Sequence, residues 1–205
     1  PVILCLAAAH AAAQGPLFQL QRREVFTPPA VGLSVLPIDG DADGRTDLLD
    51  AGVAGTMFYR QVGPMRFQGT PGPVVGFSQT PAVGDFDGDG DLDFANSQAV
   101  HQNDGTGVFV VNPIGLPTQA FGPLVPRVGA GDFDGDGDLD LLAAGNRLWV
   151  LTNDGTGVFQ DTTSAALQGA EAGFGDFVIT DVDFDGDPDF VGMRSNVDKP
   201  WLFRN

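Results

Sequence analysis

Short apolar stretches alternate with segments rich in glycine and aspartate along most of the chain. In the best-defined part, this pattern predicts four strands, at residues 127–131, 139–144, 147–152 and around 158–162. The third of these strands is apolar on both faces over residues 148–151, which is typical of a strand covered by neighbouring sheets. Runs this short, interrupted by glycine every few residues, form poor helices. The pattern therefore predicts an all-β chain.

One acidic block recurs four times, with aspartate at nearly every second position. Its copies begin 46, 47 and 49 residues apart and occupy residues 39–47, 85–93, 132–140 and 181–189. A second motif, Asn-Asp-Gly-Thr-Gly-Val-Phe, occurs at residues 103–109 and 153–159, and its turn residues indicate a tight hairpin. Four-stranded units at a period of about 40–50 residues fit the blades of a β-propeller.

The repeats divide residues 14–205 into four units, at approximately 28–75, 76–123, 124–170 and 171–205. We expect the last unit to be incomplete, because it lacks the hairpin motif and the strand that follows it. Residues 17–27 resemble that missing outer strand, with Val25 and Phe26 in the places of Val158 and Phe159. Two architectures stay open: a closed four-bladed ring, completed by this strand, or an arc of a longer propeller.

The first thirteen residues resemble the end of a secretory signal peptide. Residues 2–9 form a short apolar run, and three alanines precede Gln14 as in a cleavage site. A buried strand or short helix is the alternative for this segment. Removal of residues 1–13 would take away Cys5, the only cysteine, and leave a domain without disulfides. No other stretch is long enough to span a membrane, so we expect an exported protein, secreted or at the cell surface.

The negative charge of the chain is concentrated in the four acidic blocks. The 205 residues carry a formal charge of −17, and the blocks contain 19 of the 25 aspartates. Such a charge argues against a nucleic-acid binder, which needs a basic surface. A hydrophobic content of 42% argues against disorder.

Each acidic block has the spacing of a loop that wraps a hard cation. Carboxylates at positions 1, 3, 5 and 9 converge, the position 7 carbonyl adds an oxygen, and glycine at position 6 permits the bend. Oxygen ligands without histidine or cysteine favour Ca²⁺, up to four ions, and four ions would change the formal charge to −9. The predicted ligands are Asp39, Asp41, Asp43, the Arg45 carbonyl and Asp47; Asp85, Asp87, Asp89, Asp91 and Asp93; Asp132, Asp134, Asp136, Asp138 and Asp140; and Asp181, Asp183, Asp185, Asp187 and Asp189.

The loops and hairpins together resemble the FG-GAP/VCBS repeats of secreted bacterial proteins, whose calcium loops are shared with the propeller of integrin α-chains. The string at residues 83–93 and the hairpin motif carry the resemblance. It implies a calcium-stabilised propeller at an extracellular location. Position 4 departs from glycine at Ala42 and Phe184, so we expect the second and third loops to bind Ca²⁺ most tightly.

The sequence favours a non-catalytic module for recognition or adhesion, with an extracellular protein or a glycan as its partner. His101 has no nucleophile motif nearby, and we expect it to be a half-exposed strand residue. The recurring aromatic residues are predicted to pack between blades: Phe26, Tyr59, Phe67, Phe109, Trp149, Phe159 and Trp201. Two alternatives stay open: the propeller part of a secreted polysaccharide-active enzyme, and a structural spacer in a large surface protein.

Overall fold

The described part of the chain forms four antiparallel sheets and one short helix. The computed structural model describes residues 32–52, 55–64, 66–72, 80–112, 116, 127–145, 147–167, 174–194 and 199–205. The predicted signal segment at residues 1–13 and the predicted outer strand at residues 17–27 lie outside these residues. Within them the expectation of an all-β chain is confirmed.

Each sheet is a meander in which strands that follow one another in sequence pair with one another. The first sheet contains β1 (Gly32–Ile38), β2 (Asp47–Gly52), β3 (Gly55–Gly63) and β4 (Arg66–Pro71). The second contains β5 (Ala82–Gly84), β6 (Asp93–Ala95), β7 (Val100–Asn103) and β8 (Phe109–Asn112). The third contains β9 (Arg127–Gly131), β10 (Asp140–Ala144), β11 (Leu148–Asn153) and β12 (Phe159–Asp161), followed by helix α1 (Thr163–Leu167). The fourth contains β13 (Phe174–Thr180), β14 (Asp189–Arg194) and β15 (Pro200–Phe203).

Three hydrophobic clusters join the sheets in sequence order. Ile38, Leu49 and Phe58 of the first sheet pack against Phe94 and Phe109 of the second. Equivalent clusters join the second sheet to the third and the third to the fourth. The middle sheets are therefore covered on both faces, which explains why residues 148–151 are all buried.

The aromatic residues follow the predicted packing in most, but not all, positions. Tyr59, Phe109, Trp149 and Phe159 are buried, whereas the side chain of Phe67 is only half-buried. Trp201 is 40% exposed, so the prediction that it lies in the core is wrong. It belongs to β15, the last strand of the three-stranded sheet, and no further strand covers it among the described residues. Phe26 lies outside these residues.

A cavity of about 410 Å³ lies between the third and fourth sheets. Phe133, Phe190 and Phe203 line it together with residues of helix α1. Phe133 holds the same loop position as Phe86, which packs edge-on against Phe159 of the next sheet at 5.8 Å between ring centroids.

In the described part of the chain, no helix combines the length and the apolar character needed to cross a bilayer.

Candidate metal sites

The four acidic loops connect the first and second strands of their sheets. In every sheet, position 1 directly follows the first strand and position 9 is the first residue of the second strand. The loops are numbered one to four in chain order below. Because the same connection carries the acidic block in each sheet, the repeated sequence produces a repeated site.

Carboxylate oxygens converge in every loop. Three aspartates per loop offer oxygens within 4.8 Å of one another, and positions 1 and 3 belong to all four groups. The third member is position 5 in loops one and three, and position 9 in loops two and four. The groups are Asp39, Asp41 and Asp43; Asp85, Asp87 and Asp93; Asp132, Asp134 and Asp136; and Asp181, Asp183 and Asp189.

Position 1 holds each loop in its coiled shape. In loop two, Asp85 accepts hydrogen bonds from the backbone amides of Gly88 at 2.8 Å and Gly90 at 3.0 Å. The bond from the position 6 glycine recurs in the other loops at 3.0–3.1 Å. That glycine has a φ between +80° and +104° in all four loops, a conformation that residues with a Cβ rarely adopt.

Position 9 has a structural role that the sequence analysis missed. The buried carboxylate of Asp93 accepts hydrogen bonds from the Phe86 amide at 3.0 Å and from the Asn103 amide at 2.8 Å. Asp140 accepts the same pair of bonds from Phe133 and Asn153. Burial raises the pKa of both carboxyl groups to about 6. Position 9 therefore ties the loop to the end of the third strand.

Position 3 carries the clearest sign of a cation site. Asp87 Oδ2 accepts a hydrogen bond from Gln102 Nε2 at 2.7 Å, but Oδ1 is buried without a hydrogen-bond partner. Asp41 Oδ1 in loop one is also buried without a hydrogen-bond partner, while Oδ2 of the same carboxylate pairs with Arg60. The pKa of Asp87 is raised, mainly by burial and then by the charge of Asp89. A buried, unpaired carboxylate oxygen is unfavourable, and a cation bound between positions 1 and 3 would satisfy it.

The donor set fits Ca²⁺, since every converging atom is a carboxylate oxygen and the loops are exposed enough to retain water as a further ligand. The position 7 side chains of loops two and three point away from the cage, towards the hairpin of their own sheet. A Cβ added to Gly105 would lie 2.5 Å from Asp91 Oδ2, and one added to Gly155 would lie 2.4 Å from Asp138 Oδ2. These two aspartates therefore have only their carbonyl oxygens to offer to a cation, as the sequence analysis assumed.

His101 is not the half-exposed residue that the sequence analysis expected. The side chain is fully buried, stacks on Phe94 at 4.2 Å between ring centroids, and places Nε2 3.2 Å from Asn96 Nδ2. Asn96 Oδ1 accepts two backbone amide bonds, so Nδ2 is the atom that faces the ring and donates to it. Burial lowers the pKa of His101 to about 4. The prediction failed because both faces of the second sheet are covered.

The chain is similar in sequence to a known repeat and in fold to known structures. Residues 132–192, from loop three to β14, match the family model described as an FG-GAP-like repeat. No curated protein matches the chain. A lectin from Agrocybe aegerita, described as recognising non-reducing terminal N-acetylglucosamine, has a TM-score of 0.55 and 24% identity over 77% of this chain. The Photorhabdus luminescens Tc holotoxin pore has a TM-score of 0.52 and 21% identity over 83% of this chain. The chain spans 46% of the lectin chain and 9% of the toxin chain.

Proposed function

We propose that this chain, which contains FG-GAP-like repeats, forms a calcium-stabilised β-propeller, either a closed four-bladed ring or an arc of a longer one, and acts outside the cell as a non-catalytic recognition or adhesion module. The observation that carries the proposal is the recurrence, in four loops, of a carboxylate cage formed around positions 1 and 3. Buried oxygens without partners at Asp41 and Asp87 support a cation there.

The order of the sheets supports a propeller arrangement. Each antiparallel sheet packs face to face against the next one in sequence, as consecutive blades do. The likeness in fold to the lectin and to the toxin pore is in keeping with this arrangement. Both a closed four-bladed ring and an arc of a longer propeller satisfy these observations.

Bound Ca²⁺ would neutralise charges that repel one another in each loop. The aspartates at positions 1, 3, 5 and 9 and the position 7 carbonyl would hold the ion, as the sequence analysis predicts. Carboxylates whose oxygens lie within 4.8 Å of one another repel by several kcal/mol at the effective dielectric of a protein surface. The loops should therefore be ordered by calcium, and millimolar extracellular calcium would fill even weak sites.

The repetition of the cage favours a structural metal over a catalytic one. A catalytic metal keeps a coordination position open for substrate and occurs singly or as a pair, whereas here the same cage recurs in every sheet. His101, the histidine in the described residues, is buried and stacked on Phe94, so it is poorly placed to exchange protons with a substrate. A glycan is the first partner to test, because the similar lectin is described as binding a terminal sugar.

Thermal unfolding with and without calcium tests the metal part of the proposal. We expect the full chain to melt at a higher temperature in millimolar Ca²⁺ than in EDTA, since a ligand at 100 times its Kd adds about 2.7 kcal/mol to the free energy of unfolding. Asp87→Ala should lose part of this gain, whereas Asp104→Asn, at an exposed hairpin position outside the cages, should retain it. Equal melting temperatures in Ca²⁺ and EDTA would overturn the proposal.

A glycan array and a polysaccharide-cleavage assay, both in Ca²⁺ and in EDTA, test the recognition part. Calcium-dependent binding without release of shorter sugars would support a recognition module. Release of shorter sugars would overturn its non-catalytic character and favour the propeller of a polysaccharide-active enzyme. Absence of binding to any glycan would reject the glycan as the partner.

A further inference from the structure

We infer that Arg60 and Arg204 serve as built-in cations for loops one and four, so that loops two and three are the calcium sites that fill first. The inference rests on the proposed function, because it concerns how the chain's own residues tune the same loops. It names two side chains that lie outside the acidic blocks and that the loop sequences alone do not reveal.

The two arginines occupy the same place relative to their loops. Each residue at this place immediately precedes the residue whose backbone amide donates to the position 9 carboxylate. The sheet topology therefore brings one side chain per sheet to the mouth of the loop. These side chains are Arg60 in the first sheet, Gln102 in the second, Thr152 in the third and Arg204 in the fourth.

Both arginines contact the carboxylates at positions 3 and 5. Arg60 pairs with Asp41 through Nε and lies 3.9 Å from Asp43 through Nη2. In loop four, Arg204 pairs with Asp183 through Nε and lies 3.6 Å from an oxygen of Asp185 through Nη2. Loop one receives a second cation, since Arg45 also pairs with Asp43. The arginines thus engage the carboxylates that a bound Ca²⁺ would need.

Loops two and three have neutral side chains at the corresponding place. Gln102 donates to Asp87 Oδ2 and leaves Oδ1 without a partner. Thr152 carries no charge, so it cannot take the place of a cation. Among the described residues, none of the ion pairs reaches a carboxylate of loop two or loop three. The four carboxylates at positions 1, 3, 5 and 9 of each of these loops therefore face no protein cation.

Charge balance sets the expected order of affinity. At positions 1, 3, 5 and 9, four carboxylates meet two arginines in loop one, four meet one in loop four, and four meet none in loops two and three. A divalent cation is attracted less strongly to a partly neutralised cage. The side chains of Arg60 and Arg204 are 49% and 66% exposed, so their ion pairs are weak and a bound Ca²⁺ can displace them. We expect calcium to bind loops one and four about tenfold more weakly than the other two.

This arrangement gives the two ends of the described sheet stack a different dependence on ions from its middle. Loops one and four are partly neutralised without calcium, by pairs that salt weakens. Loops two and three depend on calcium for neutralisation. At calcium concentrations between the two affinities, only the middle loops would be filled.

Calorimetric titration of the full chain with Ca²⁺ alone tests the inference. The wild-type chain should bind two ions tightly and two about tenfold more weakly. Arg204→Gln, which introduces the residue found in loop two, should move loop four into the tight class, so that three sites bind tightly. Arg60→Gln should strengthen binding at loop one but leave it in the weak class, because Arg45 still pairs with Asp43. Arg147→Gln is the matched control, because Arg147 pairs with Asp161 outside the loops.

The reverse substitution keeps the test independent of any one variant. Gln102→Arg should move loop two into the weak class and leave one tight site. Four equal sites in the wild type, or unchanged affinities in Arg204→Gln and Gln102→Arg, would overturn the inference while leaving the calcium proposal intact. Ala42→Gly and Phe184→Gly test the loop backbone. If they add sites to the tight class and the arginine variants do not, the difference in calcium affinity comes from the loop backbone and the inference is wrong. Absence of binding to all four loops would overturn the proposed function itself.

Discussion

The side-chain amide of Asn153 donates a hydrogen bond at 2.8 Å to the backbone carbonyl of Phe86, which lies 67 residues earlier in loop two. The same contact joins Asn103 to Gly40 in loop one at 2.7 Å and Asn205 to Phe133 in loop three at 3.2 Å. Asn103 and Asn153 are the last residues of the third strands of their sheets, Asn205 lies two residues after the third strand of its sheet, and each contacts the acidic loop of the sheet before it. The contacts therefore couple the order of a loop to the position of the next sheet.

Replacement of Asn153 by alanine should lower the free energy of unfolding by about 2 kcal/mol. Asn153 also donates to the Leu139 carbonyl and accepts from the Gly157 amide, so its loss leaves several buried backbone groups without partners. Urea denaturation in saturating Ca²⁺ measures the change. Asn205→Ala is the control, because its contact is longer and exposed to water, and it should cost less than about 1 kcal/mol. Equal losses in the two variants would contradict the role of burial.

Two glycines at the same place in identical hairpins should respond differently to alanine. Gly107 and Gly157 both have positive φ, +78° and +74°, so each alanine costs about 1–2 kcal/mol of backbone strain. A Cβ at Gly107 would lie 2.3 Å from the ring of Phe58, which is buried against Phe109. At Gly157 the nearest atom is Gln102 Nε2, at 3.0 Å. Gly107→Ala should therefore cost about 1–3 kcal/mol more than Gly157→Ala, measured by urea denaturation.

A double-mutant cycle with Phe58→Leu separates the steric part of this cost. The smaller side chain should recover part of the extra loss in Gly107→Ala and none in Gly157→Ala. Additive effects of Phe58→Leu and Gly107→Ala would show that the contact with the ring is not the cause.

The sequence allowed the strands of the third sheet to be predicted closely, because glycine and the acidic blocks bound each apolar run. The prediction at residues 127–131 matches β9, and the next two are displaced by about one residue. Positions 1 and 3 of the loops were also predicted to converge, since alternate side chains of a short coiled loop point to one side, and they do.

Contacts that depend on strand register and on sheet packing could not be predicted from the same patterns. Arg60 and Arg204 reach their loops only because antiparallel pairing brings the end of the third strand beside the start of the second. His101 is polar, and only the packing of two neighbouring sheets shows that it is buried. Trp201 has the pattern of a core residue, but its exposure depends on what covers the last sheet.

Stability should depend on pH through His101. Its folded-state pKa is about 4, below the ordinary value of 6.5, so the unfolded chain binds a proton between these values and the folded chain does not. The free energy of unfolding should fall as the pH decreases from 6.5, by about 2 kcal/mol at pH 5 and about 3 kcal/mol near pH 4. His101→Leu, which introduces the residue found at the equivalent Leu151, should lack this contribution.

The difference between the wild type and His101→Leu isolates the histidine, because the carboxylates titrate in both proteins. Chemical denaturation at pH 7, 6 and 5 in saturating Ca²⁺ provides the comparison. Parallel stability curves for the two proteins would show that His101 is protonated in the folded state or is not buried.

Phe184→Gly should stabilise the chain even though it removes a large apolar side chain. Phe184 has a φ of +63° at position 4 of loop four, where loops two and three have Gly88 and Gly135, and its side chain is 89% exposed. The substitution relieves about 1–2 kcal/mol of backbone strain and loses little packing, while the greater freedom of glycine in the unfolded chain offsets about 0.5–1 kcal/mol. We expect the free energy of unfolding to rise by about 0.5–1 kcal/mol in urea denaturation with saturating Ca²⁺. Val182→Gly, in the same loop at a position without positive φ, should instead destabilise the chain, and a loss of stability in both variants would show that the loop backbone is not strained at Phe184.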